Sequence, residues 1–152
     1  MFLAFNQIFH KVETKSNLLK KTFADVYGSS YTPKNYTELE HTGAPLTPNA
    51  ENVYVYDCVF RNCLSTSNGG ALYCNNNVYR LLVEQSSFIS CKTSATEGGG
   101  IYFSNIQNGQ CVLSRICGFN CSSINSSYNT GQFAYISVIN VINNKNHVND
   151  SS

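Results

Sequence analysis

Three stretches of this chain repeat one another, and that repeat constrains the fold more than any other feature of the sequence. The first runs Val53-Tyr54-Val55-Tyr56-Asp57-Cys58-Val59-Phe60-Arg61-Asn62-Cys63 and continues, past a polar stretch, with Gly69-Gly70-Ala71-Leu72-Tyr73-Cys74. The second runs Leu81-Leu82-Val83-Glu84-Gln85-Ser86-Ser87-Phe88-Ile89-Ser90-Cys91 and then Gly98-Gly99-Gly100-Ile101-Tyr102-Phe103. The third is Cys111-Val112-Leu113-Ser114-Arg115-Ile116-Cys117-Gly118-Phe119-Asn120-Cys121, followed by the weaker Gly131-Gln132-Phe133-Ala134-Tyr135. Phe88 follows Phe60 by 28 residues, Phe119 follows Phe88 by 31, and Ile101 follows Leu72 by 29. Two landmarks drifting together mark a structural repeat.

Each block reads as strand, turn, strand, turn, with short apolar runs separated by Asn/Ser/Thr/Gly clusters. A unit of about 29 residues cannot bury its apolar face alone, so neighbouring units must stack. The expected architecture is an all-β, parallel β-helix solenoid of about three to four coils. Phe60, Phe88 and Phe119 would then form an inward aromatic ladder and Leu72 with Ile101 an apolar one, with the Gly pairs at bends that side chains forbid. The third copy has Gln132 where Leu72 and Ile101 sit, which leaves its register open by a residue.

The chain of 152 residues is 42% hydrophobic, enough for one domain with a real core. Only 12% of residues are charged and the formal net charge is +1, which argues against nucleic acid as a partner. Seven cysteines, six of which could pair, and Asn-x-Ser/Thr sequons at Asn35, Asn120, Asn125 and Asn149 lean towards an extracellular or cell-surface location. Residues 1–10 do not resemble a secretory signal, and no apolar run approaches the ~20 residues of a membrane-spanning helix. An exported form would carry its targeting and anchoring segments elsewhere in a longer chain.

The pattern F-x-x-C with a downstream G-G-A-I/L-Y, here Phe60 to Cys63 with Gly69 to Tyr73 and Phe88 to Cys91 with Gly98 to Tyr102, resembles the right-handed β-helix repeat families of parasitic protists. In general form it is similar to the GGAI and FxxN repeats of bacterial polymorphic outer-membrane proteins, with Cys in place of the bacterial Asn. The resemblance covers residues 53 to 135. It implies a right-handed, pectin-lyase-like β-helix at a cell surface.

Residues 1–50 lack the repeat. Phe2, Phe5, Phe9 and Val12, then Leu18, Leu19, Phe23 and Val26, fall near helical spacing. A short amphipathic helix capping the first coil is one reading, and a degenerate upstream coil is the other. Tyr31 to Asn52, with Pro33, Pro45 and Pro48, reads as loop. Residues 51–142 carry the β-helix repeats and 143–152 form a polar, frayed tail.

Carbohydrate-active enzymes on such a fold need clustered carboxylates. The repeat region offers only Asp57, Glu84 and Glu97. Stacking puts Asp57 level with Gln85 and turns Glu84 to the opposite strand face, so the expectation is solvated outward side chains and no catalytic pair. His10, His41 and His147 all lie outside the repeats, which leaves a cysteine–histidine site unsupported. Cys117 to Cys121 is a C-x₃-C and Cys58 to Cys63 a C-x₄-C, without a second close pair to complete a zinc site. Gly98-Gly99-Gly100 lacks the Gly-Lys-Ser/Thr of a phosphate loop. No catalytic, cofactor-binding or metal-binding residue is therefore assigned.

Among the cysteines, Cys63, Cys91 and Cys121 should occupy neighbouring coils on one edge. Cys63–Cys91 or Cys91–Cys121 would be within disulfide reach; otherwise these are small buried hydrophobes. Cys58 and Cys117 match each other with Ser86 between them, two coils apart, so a Cys58–Cys117 bridge should not form. The functional expectation is a non-enzymatic, surface-exposed protein of structural or adhesion type, contacting host-cell, matrix or glycan ligands. The alternatives are a fragment of a pectin-lyase-like polysaccharide lyase or hydrolase, and a functionless partial copy of a larger β-helix protein.

Overall fold

The computed structural model describes residues 20–124, 133–139 and 145–149. It is almost entirely β, with one short helix, α1 (Phe23–Tyr27). The strands β1 (Lys34–Thr37) and β2 (Glu40–Gly43) precede the repeats. The first repeat supplies β3 (Asn52–Tyr56), β4 (Val59–Ser65) and β5 (Leu72–Cys74). The second supplies β6 (Arg80–Glu84), β7 (Ser87–Ile89), β8 (Lys92–Thr93) and β9 (Ile101–Asn105). The third supplies β10 (Gln110–Ser114), β11 (Cys117–Phe119), β12 (Ser122–Ser123) and β13 (Ala134–Val138), and β14 (His147–Asn149) follows.

Every strand pair among the described residues is parallel. The first sheet runs β1-β3-β6-β10-β14 and the third β13-β9-β5. In the second, the long strand β4 pairs β2 and β7 through its first half and β8 through its second, with β11 beyond β7 and β12 beyond β8. Pairing follows the repeat: Val53 lies beside Leu81 and Leu81 beside Cys111, Phe60 beside Phe88, and Leu72 beside Ile101. Parallel strands buried on both faces read as continuous apolar runs, which explains Val53–Tyr56 and Leu81–Val83.

The main core holds Val53, Val55, Leu81, Val83, Cys111 and Leu113 from the first sheet, Phe60 and Phe88 from the second, and Leu72, Ile101, Cys74 and Phe103 from the third. The Phe60 and Phe88 rings stack at 4.8 Å with planes 3° apart, as the aromatic ladder requires. The ladder does not continue to Phe119. Gly118, not Phe119, lies beside Phe88, while Phe119 pairs with Ile89 and is 65% exposed. Likewise Ala134 takes the place level with Ile101, and Tyr135, not Phe133, is level with Tyr102. The third copy is thus one residue out of the expected register at Phe119 and two residues out, in the opposite sense, at Phe133. Counted from the Cys, the units do match: Phe60 and Cys63, Phe88 and Cys91, Gly118 and Cys121 are each three apart.

Corners recur with the strands. Glu38, Asp57, Gln85 and Arg115 all have left-handed backbones, with φ of 55°, 52°, 50° and 51°. Asn62, Ser90 and Asn120 form a second such series, with φ of 53°, 54° and 53°. At the third corner φ is +76° at Gly69 and +69° at Gly98, and a Cβ on Gly69 would stand 2.7 Å from the Leu72 carbonyl oxygen. Only glycine fits there without strain.

Three expectations about the ends need correction. The stretch Tyr31 to Asn52 is not simply loop, because β1 and β2 pair in parallel with β3 and β4 and Leu46 bridges to Leu72. It looked like loop because these edge strands are polar and largely exposed. The tail likewise contains β14, whose Val148 pairs with Leu113. The helix does not cap an end of the stack. Phe23 packs on Tyr54, Leu82 and Val112, so α1 covers the outer face of the first sheet. Of the predicted helical positions, Phe2, Phe5, Phe9, Val12, Leu18 and Leu19 lie outside the described residues.

Candidate functional site

Because β-strand side chains alternate, Tyr54, Tyr56, Leu82, Glu84 and Val112 point away from the main core of the first sheet. Residues 20–27 lie over them. Thr22 caps α1 through a reciprocal pair with Asp25, whose carboxyl is held below its usual pKa by the Thr22 hydroxyl and amide. The Tyr54 hydroxyl donates to the Lys21 carbonyl at 2.9 Å, and Tyr27 donates to the Leu81 carbonyl at 2.6 Å. Lys20 Nζ sits 3.5 Å above the centre of the Tyr56 ring.

Under this cover Glu84 is wholly buried, contrary to the expected solvated side chain. It is ion-paired with Arg115 and accepts the Lys21 amide at 3.2 Å, while its second oxygen, Oε2, has no hydrogen-bond partner. Asp57 is exposed at its corner and stands level with Gln85, as expected. Glu97 accepts from Asn68 Nδ2 at 3.1 Å. These carboxylates are not brought together. His41 donates Nε2–H to the Ala44 carbonyl at 2.7 Å and meets the Phe60 ring edge-on. His147 lines a cleft of about 230 Å³ with Lys21, Asp25, Val26 and Lys145; partial burial and the two lysines lower its pKa. His10 and Asn125 lie outside the described residues, whereas the sequon residues Asn35 and Asn120 are exposed.

All seven cysteines are free thiols. Cys58 is buried at one corner, level with Ser86 and Ile116, whereas Cys117 is exposed and level with Val59 and Ser87. The expected match of Cys58 with Cys117 therefore fails by one residue, and their side chains lie on opposite strand faces. Cys63, Cys91 and Cys121 do share one corner of successive units. Each thiol donates to a carbonyl one unit earlier: Cys63 to His41 at 3.6 Å, Cys91 to Phe60 at 3.6 Å and Cys121 to Phe88 at 3.4 Å. The neighbouring Cys121 and Cys63 side chains pull the Cys91 pKa down, while proximity to Cys91 and burial push both neighbours up. Burial also raises Cys74 and Cys111. Beside this column a buried series of hydroxyls, Ser65, Thr93 and Ser123, closes the following turns, with Thr93 donating to the Ser67 carbonyl.

On the outside of the third sheet, Tyr73, Tyr102 and Tyr135 form a half-buried column. Their rings stack at 5.3 Å in both steps, with planes 13° and 6° apart. Stacked in this way, Tyr102 has both ring faces covered by its neighbours and Tyr73 and Tyr135 one each. Sequence reasoning located the tyrosines but not the column's third member, because the register slip hid Tyr135. It also passed over Arg115; the available signal was an acidic residue on an apolar strand one unit before an arginine.

Among the described residues no group of three or more His, Cys, Asp or Glu side chains is arranged to hold a metal ion, and no helix is long and apolar enough to cross a membrane. Comparison with protein-family models, curated proteins and solved structures finds no match for this chain.

Proposed function

We propose that the chain is a non-enzymatic, surface-exposed scaffold of adhesion type, wound as a right-handed parallel β-helix of the pectin-lyase-like kind. The winding is supported by the in-register parallel pairing of successive repeats and by the right-handedness of nearly all parallel crossovers. The likeness of the F-x-x-C and G-G-A-L-Y motifs to surface β-helix repeats supports the same reading. The non-enzymatic part rests on the carboxylates: Glu84 is sealed and ion-paired, and Asp57 faces solvent beside an uncharged glutamine position.

The observation that carries the adhesive reading is the outward tyrosine column. Tyrosine gives large, rigid contact area with a polar tip, which suits protein contacts. Both faces of the central Tyr102 ring are occupied by its neighbours, which leaves only the outer faces of Tyr73 and Tyr135 to stack on a sugar. A matrix or host-cell surface protein is therefore the favoured ligand. Extracellular location is part of the proposal and draws on the exposure of Asn35 and Asn120.

The test is binding of the purified chain to immobilised matrix and cell-surface proteins. Saturable binding that Tyr102→Ala weakens about tenfold, while Ile106→Ser leaves it unchanged, is the expected result for a contact centred on the column. Binding confined to glycans would reassign the ligand. Release of reducing or unsaturated ends from pectin-like polymers would overturn the non-enzymatic reading.

A further inference from the structure

Cys63, Cys91 and Cys121 stand in one column, and their access to solvent is graded. Cys63 is 1% exposed and Cys91 0%, whereas Cys121 is only half-buried. The Ser122 amide donates to the Cys91 carbonyl at 3.1 Å, which fixes Cys121 beside Cys91 on adjacent parallel segments. Such neighbours lie ~4.8 Å apart, inside the Cα separation of about 4.4–6.8 Å that a disulfide requires. Their side chains face the same side of that corner, each thiol donating to the phenylalanine carbonyl one unit earlier.

We propose that Cys91 and Cys121 form a thiol–disulfide site for low-molecular-weight disulfides of the glutathione type, Cys121 meeting the reagent and Cys91 resolving the mixed disulfide. In the first step the small fraction of Cys121 that is thiolate, held low by Cys91 and burial, attacks one sulfur of RS–SR; Cys121 meets the reagent because it is the accessible member of the pair, not the more acidic one. The reagent's S–S bond breaks, Cys121–S–S–R forms and RS⁻ leaves. In the second step the Cys91 thiolate attacks the Cys121 sulfur; the mixed disulfide breaks, Cys91–Cys121 forms and a second RS⁻ leaves. The two protons lost by the protein thiols end on the two RS⁻ groups. The protein is thus oxidised by two electrons and the reagent reduced to two RSH. Cys63 remains a thiol behind the pair. The product staples the third repeat to the second at a corner between two short strand pairs, β7 with β11 before it and β8 with β12 after it.

The experiment uses the full chain in a Cys117→Ser background, which removes the exposed thiol, treated with oxidised glutathione under native conditions. Peptide mapping without reduction should find a Cys91–Cys121 link, with two thiols lost per chain, and the melting temperature should rise and fall back on reduction. Cys91→Ser should instead accumulate a glutathione adduct on Cys121. Cys121→Ser should slow oxidation of Cys91 at least about tenfold, since that thiol is then reached only through opening of the fold. Far-UV circular dichroism of each variant verifies that it is folded. A native link elsewhere, oxidation only after unfolding, or undiminished oxidation of Cys91 in folded Cys121→Ser overturns the proposal.

Discussion

The ring of Phe133 occupies the space opposite Gly118 where a third phenylalanine of the core ladder would stand. A Cβ on Gly118 would lie 2.8 Å from that ring, and Phe133 meets Phe88 edge-on with centroids 5.6 Å apart. The aromatic core is therefore continuous through three repeats although its third member arrives from a later segment of the chain.

Phe133→Ala should accordingly cost about 2–4 kcal/mol, below or within the usual range for a buried phenylalanine because Phe133 is only partly buried. Phe119→Ser should stay within about 0.5 kcal/mol of the parent, as exposed positions do. Urea unfolding of both variants distinguishes this register from the one in which Phe119 is the ladder residue: equal losses would restore the latter.

How much of this was legible in the sequence depends on whether a residue's partner sits one repeat away. Phe60 with Phe88 and Leu72 with Ile101 were readable because equivalent positions keep their type. Gly118 broke the series, and the nearest phenylalanine, Phe119, drew the alignment off by one. That slip also equated Cys58 with Cys117, while a separate shift of two residues in the opposite sense equated Phe133 with Tyr102. The strands β1 and β2 gave no periodic apolar signal, since the apolar residues of the 31–52 stretch that pack on the core, Tyr36, Leu39, Leu46 and Ala50, fall at no strand period. Burial of Glu84 was invisible for a different reason: it depends on residues 20–27 folding over the first sheet from 63 positions away in the case of Lys21.

The Glu84–Arg115 pair is expected to behave as a buried ion pair whose members tolerate joint removal better than single loss. Arg115→Leu leaves an uncompensated carboxylate and should destabilise the fold by about 3–5 kcal/mol. Glu84→Leu combined with Arg115→Leu should recover most of that loss. Thermal unfolding of the single and double variants measures the difference; a double variant as unstable as Arg115→Leu would refute the pairing.

The left-handed corners make a separate claim about backbone. At Gln85, where φ is 50°, glycine relieves steric strain and valine increases it. Gln85→Gly should be neutral or slightly stabilising, whereas Gln85→Val should cost about 1–2 kcal/mol. The effect requires no lost side-chain contact, so it should appear equally at Ser90, where φ is 54°.

The cover over the first sheet should fail in alkali. Burial raises the phenol pKa of both Tyr27 and Tyr54 above the ordinary 10.0. A raised folded-state pKa means that the folded chain holds its phenol protons where the unfolded chain has released them. The associated stability is complete below pH 10 and is lost as pH climbs through and beyond that value. Tyr27 and Tyr54 both need the neutral hydroxyl, because each donates it to a backbone carbonyl. Replacing both by phenylalanine should lower stability at pH 8 by about 1–3 kcal/mol for the two hydrogen bonds, yet flatten the decline above pH 10. Urea midpoints measured from pH 8 to 11.5 decide the matter. A parent and a Tyr27→Phe/Tyr54→Phe variant that lose stability in parallel would place the alkaline transition on other groups.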